Sequence, residues 1–134
     1  MSKSAIYTAN TTSQSVVENG LINPGTVIRR FGCNIHMSGN AINITGTGYY
    51  NIDAVFDVSP TEVGEVTITV YKDGAVVPGA TATETAAAGD TVNLNISALV
   101  REYCPCADDS SNLTFVLTGS AATITNSAIV IEKL

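Results

Sequence analysis

The sequence predicts an all-β protein, a sandwich or barrel of eight to ten strands. Three observations carry this. Apolar residues recur at every second position over most of the chain, turn signals arrive about every 8–12 residues, and no stretch has the period of an amphipathic helix. The plainest stretch runs from Ala41 to Gly79 and reads as three strands joined by two turns. Ile42 and Ile44 alternate with Asn43 and Thr45, and Gly46-Thr47-Gly48 then breaks the pattern. Tyr50, Ile52, Ala54, Phe56 and Val58 next share one face, with Asn51, Asp53 and Asp57 on the other, which is the signature of a half-buried strand. Pro60 ends this strand because it cannot donate to a ladder. Val66, Ile68 and Val70 alternate with Thr67, Thr69 and Tyr71, and Asp73-Gly74 closes the run as a hairpin turn that tolerates positive φ.

Ahead of this block, Ala5 to Ala9 is a short strand, Val16-Val17 a brief pairing, and Thr26 to Phe31 a β-branched strand. Gly32 interrupts that strand, and Cys33 to Met37 continues it. After the block, Ala80 to Thr85 alternates Ala with Thr, a thin strand whose inner face needs small side chains. Val92, Leu94 and Ile96 mark another strand, and Ala98 to Tyr103 either extends it or forms one helical turn. Cys104 to Asn112 is a loop, and Leu113, Phe115 and Leu117 make the next strand. The last run, Ala122 to Leu134, ends apolar on both faces, as in a strand that is central or pressed against another subunit.

A length of 134 residues suits one domain with a self-sufficient core. Only 13% of residues are charged and 45% are hydrophobic, whereas about 25% charged is usual for a soluble domain. Either much of the surface is hidden in an oligomer, or a neutral skin of Thr, Asn and Ser faces solvent. The net charge of −6 and the scattering of the six cations leave no footprint for nucleic acid or an anionic membrane. Arg29-Arg30, the one basic pair, suits a strand edge or an interface. Met1-Ser2-Lys3 leads into Ala5-Ile6-Tyr7 without the apolar core of an export signal, so the expectation is a chain folded in a cytoplasm or a mature fragment.

Chemistry-bearing groups are sparse. His36 is the single histidine, and nothing in the spacing supplies it with a nucleophile and an orienting acid. Cys33, Cys104 and Cys106 are odd in number, which argues against a closed disulfide framework. With His36 they would make four zinc ligands only if the fold gathered them; buried or reduced thiols are the simpler expectation, as are thiols near a symmetry axis. Asp108-Asp109 and the Ser110-Ser111-Asn112 that follow form an oxygen-rich loop without a D-x-D-x-D-G calcium pattern, and they read as a solvated acidic loop. No cofactor, metal or catalytic residue is expected.

The order of these motifs resembles the C1q/TNF-like jelly roll. The resemblance rests on Ile42-Asn43-Ile44, Gly48, Tyr50, Ile52, Ala54 and Phe56, then Val66, Ile68, Val70 and Asp73-Gly74. It continues through Val77-Pro78-Gly79, Gly89-Asp90-Thr91-Val92-Asn93-Leu94 and the closing strand from Ala128 to Leu134. It implies ten strands in two sheets, a homotrimer about a three-fold axis, and binding in place of catalysis. Short phage members without a collagen-like stalk are the nearest in kind, and this chain has no G-x-y repeat. The expectation is therefore a virion decoration or fibre-head module. Residues 1–25 would be an attachment segment with the first strand, and 26–134 the jelly roll. Its partners would be its own copies, a capsid, tail or stalk protein, and a host surface glycan. Tyr50, Phe56, Phe115, Ile129 and Ile131 are candidates for the trimer core. The alternative is a carbohydrate- or cell-surface-binding, lectin-like jelly roll, with Tyr49, Tyr71, Tyr103, Asp108 and Asp109 as binding candidates. A cupin-like enzyme would need several histidines.

Overall fold

The computed structural model describes residues 3–102 and 110–134. It contains β1 (Ala5–Asn10), β2 (Gln14–Val16), β3 (Thr26–Phe31), β4 (Ile35–Ser38), β5 (Ala41–Thr45) and β6 (Gly48–Pro60). These are followed by β7 (Gly64–Lys72), β8 (Ala75–Ala86), β9 (Val92–Glu102), β10 (Ser110–Gly119) and β11 (Ala122–Lys133). All pairings are antiparallel and build two sheets. The six-stranded sheet runs β3, β1, β11, β6, β9, with β2 on the far part of β11; the five-stranded sheet runs β4, β5, β10, β7, β8. No helix occurs among the described residues.

Eleven strands among the described residues exceed the expected ten because the run Thr26 to Met37 divides between sheets. Gly32 sits at φ +81°, in the left-handed region, and a Cβ there would collide with the Ser4 side chain. That corner sends β3 into one sheet and β4 into the other. The uncertain stretch after Ile96 is strand: β9 continues to Glu102, which pairs with Gly48. The N-terminal strand is integral to the sandwich, since β1 lies between β3 and β11. The chain between β2 and β3 also crosses over, with Asn19 N donating to Leu117 O at 2.7 Å and Ile22 N to Phe115 O at 2.8 Å.

The inward-facing residues of the two sheets make one core. Phe56 on β6 and Phe115 on β10 meet across it, 5.6 Å between ring centroids and tilted by 55°, a favoured aromatic geometry. Tyr50 is fully buried, yet its hydroxyl is satisfied, donating to Thr45 O at 2.7 Å and lying 2.9 Å from Gly46 O. Asn34 Nδ2 donates to the same Thr45 carbonyl at 2.7 Å, while Ser4 Oγ donates to Asn34 Oδ1 at 3.0 Å. Gly46 turns the chain there at φ +95°, and a Cβ would lie 2.5 Å from Asn34 Nδ2. A polar knot thus closes this end of the sandwich.

Phe56→Ala should lower folding stability by about 3–5 kcal/mol, through lost transfer energy and a residual cavity. Tyr50→Phe should cost about 0.5–1.5 kcal/mol by removing one hydrogen bond, since Asn34 still donates to the Thr45 carbonyl. Denaturant titration checks both; a Phe56→Ala midpoint equal to wild type would show that the inter-sheet contact carries no load.

Candidate self-association surface

Strands β1, β11, β6 and β9 of the six-stranded sheet spend about every second residue on the core, and their other residues, with most of β3, make the outer face. Strand register sets these in rows. One row reads Phe31, Ala5, Glu132, Asn51 and Leu99; the next reads Arg29, Tyr7, Val130, Asp53 and Ser97. Beyond these, Ala9, Ala128, Val55 and Asn95 align. Phe31 is 62% exposed, Leu99 55% and Tyr49 48%, and Tyr7 and Val55 are exposed as well. Of the eleven exposed large hydrophobic side chains among the described residues, these five stand on this one face. Tyr7, Phe31, Val130 and Ala5 line a groove of about 210 Å³, flanked by Arg29 and Glu132.

The outer face of the other sheet is different in kind. Thr67 and Thr83 approach at 2.9 Å between hydroxyls, Thr69 and Thr81 at 3.0 Å, and Asn43 Nδ2 donates to Asn112 Oδ1 at 3.0 Å. Neutral polar groups that satisfy one another this way suit permanent contact with water. An apolar face of aromatic and branched residues suits contact with protein.

On the β6/β9 half of the apolar face, polar groups are held in place. Ser97 Oγ donates to Asp53 Oδ1 at 3.0 Å and Asn51 Nδ2 to Asp53 Oδ2 at 3.3 Å. Asn93 Nδ2 donates to Asp57 Oδ1 at 2.7 Å. The Arg101 guanidinium lies 6.0 Å from the Tyr49 ring centroid, a cation–π contact worth about 0.5–1 kcal/mol where solvent reaches it.

No protein-family model matches the chain, and no curated protein does. Solved structures match over nearly its whole length. Murine APRIL at pH 5.0 superposes with a TM-score of 0.74 at 11% identity, covering 99% of this chain and 100% of that one. The PRD1 vertex protein P5 gives 0.67 at 17% identity, covering 98% and 96%. The globular domain of zebrafish complement 1qA gives 0.70 at 6% identity, covering 97% and 95%. The fold is the C1q/TNF-like jelly roll.

Within this jelly roll, the residues expected at a trimer core need correcting. Tyr50, Phe56, Phe115, Ile129 and Ile131 all have 0% exposure in the single chain, so they fill the sandwich and have no surface to offer a partner. Of their outward neighbours, Tyr49 and Val55 are exposed and Ala128 and Val130 half-buried. The lectin-like candidates are not gathered into one site: Tyr49 stands on the six-stranded sheet and Tyr71 on the outer side of β7 in the other sheet. Tyr103, Asp108 and Asp109 lie outside the described residues, as do Cys104 and Cys106.

His36 clips the two sheets together at their β3/β4 edge. Arg30 donates to His36 Nδ1 at 3.1 Å and to Ile35 O at 3.2 Å, and the other ring nitrogen, Nε2, is 3.1 Å from Cys33 O. Since Arg30 only donates, Nδ1 accepts and Nε2–H donates, so both nitrogens of a neutral ring are used. A hollow of about 510 Å³ opens at the opposite end beside Glu18, Glu62 and Glu65. No group of three or more His, Cys, Asp and Glu is placed to hold a metal among the described residues.

His36→Ala should loosen the β3/β4 edge without disturbing the core. Hydrogen exchange should quicken at residues 26–38 and stay unchanged on β6; equal quickening on β6 would contradict a local clip.

Proposed function

We propose that this chain is a non-enzymatic structural and binding module, a homotrimer formed through the outer face of its six-stranded sheet and displayed on a phage particle. The observation that carries the proposal is the contrast between the two outer faces. One bears Phe31, Tyr7, Tyr49, Val55 and Leu99 exposed; the other bears Thr and Asn pairs, with the single outward pair Tyr71 and Val76 at its β7/β8 end. Burying the first face between copies removes apolar area from water at roughly 25 cal/mol per Å².

The likeness to the PRD1 vertex protein P5 supports a place on a virion, where P5 is a vertex protein. The residues ahead of β1 are the proposed tether to a capsid, tail or stalk protein. The Thr-rich face would then look outward, away from the neighbouring copies.

Light scattering on a size-exclusion column should give a mass near three chains, and Val130→Asp and Tyr7→Asp should each shift it toward one chain with the far-UV spectrum unchanged. A wild-type mass of one chain at micromolar concentration rejects the trimer.

A further inference from the structure

We infer that Arg29 of one copy pairs with Asp53 of the next, and that this ion pair sets the register of the assembly. The inference rests on the self-association proposed above and adds a specific contact to it. A closed ring of three copies cannot bury the same patch on both partners; each copy presents two different patches, one to each neighbour. Both patches must lie on the one apolar face, so one half of that face meets the other half of the next copy.

The two halves are complementary. The β3/β1 half carries Arg29 beside Tyr7, Phe31 and the groove. The β6/β9 half carries Asp53 and Asp57. Arg29 is exposed and takes no ion-pair partner among the described residues. Asp53 is exposed but fixed, accepting from Ser97 and Asn51, so its carboxylate is aimed before a partner arrives. Within one copy the two cannot meet. They sit on the same row but three strands apart, about 14 Å at ~4.8 Å per strand.

The shared row selects Asp53 over the other acids. An axis running along the strands keeps residues of one height at one height in the neighbouring copy. Asp57 aligns with Asn93 and Asn126, beyond the reach of β3, whose pairing with β1 ends at Thr26. Glu132 lies one row away, on the row of Phe31. The remaining cation of the face, Arg101, is engaged with Tyr49. Beside an apolar groove the pair is shielded from water, where such contacts act on partner choice and dissociation more than an exposed bridge does.

The test is a charge swap read by the concentration at which full-length trimer dissociates, using sedimentation velocity. Arg29→Asp and Asp53→Arg should each raise that concentration about tenfold or more, and the double variant R29D/D53R should return most of the loss. An equimolar mixture of the two single variants should not restore a closed ring of three, because three positions cannot alternate two species. Single variants that dissociate like wild type overturn the pairing while leaving the trimer standing. Rescue of Arg29→Asp by Glu132→Arg in place of Asp53→Arg also overturns it. A monomeric wild type rejects the trimer itself and the pairing with it.

Discussion

The contact of Phe56 with Phe115 is the point on which both sheets depend. Each ring stands on a strand that is hydrogen-bonded on both sides, Phe56 on β6 between β11 and β9, Phe115 on β10 between β5 and β7. Their tilted packing at 5.6 Å brings the middles of the sheets together. From there the alternation of each strand propagates burial outward, through Ile52 and Ala54 on β6 and Leu113 and Leu117 on β10, all within the core. Because the side-chain period is two, fixing Phe56 inward fixes Val55 and Asp57 outward. The composition of both outer faces is thus a consequence of where two rings meet.

Once one side of every strand is committed to the core, the other side is free to specialise, and the two sheets have done so in opposite directions. On β7 and β8 the outward positions include Thr67, Thr69, Thr81 and Thr83, whose hydroxyls pair across the strands. On β1 and β11 they include Ala5, Tyr7, Ala9, Ala128 and Val130, small residues around an aromatic ring and a branched one. Small residues let a second backbone approach closely, and Tyr supplies contact area at little entropy cost. The knot around Tyr50, Asn34 and Ser4 ties β1, the β3/β4 corner and the β5/β6 turn together. The apolar face therefore has a rigid backing at that end.

Most of the fold was legible in the sequence because the alternation is long and clean. Tyr50 to Val58 lie on one face as their spacing requires, and Asp73 takes φ 53° in the turn that Asp73-Gly74 marks. What pattern alone could not show is which sheet a strand joins. Gly32 is visible as an interruption, but its corner between sheets depends on Ser4 packing against it, a contact of long sequence separation. The site was less legible for a related reason. Apolar and aromatic identity marks a core and an interface alike, so choosing by type selected Ile129 and Ile131, where the surface holds Ala128 and Val130. The usable signal was that β11 is apolar on both sides; separating the two sides needed the register of Ile129 with Ala54 and of Val130 with Asp53.

The proposed association runs through the face of the six-stranded sheet and not through the sheet edges, which would let the protein polymerise strand upon strand. Apart from the three-residue β2, four edge strands among the described residues show how this is arranged. β3 carries Arg29 and Arg30, whose charges would be costly to press against another edge. β4 is only four residues long. β8 holds Pro78, which cannot donate, beside Gly79 at φ +80°, and its register with β7 slips between Thr69 and Tyr71. β9 ends its outward row at Arg101, which is drawn over Tyr49. With every edge short, charged or irregular, the regular apolar surface left is the face of the six-stranded sheet. A flat face meets its copies by side chains, in a geometry that can close. In the proposed trimer, closure requires unlike halves, and the cation on β3 with the carboxylates on β6 would make this face unlike itself from one side to the other.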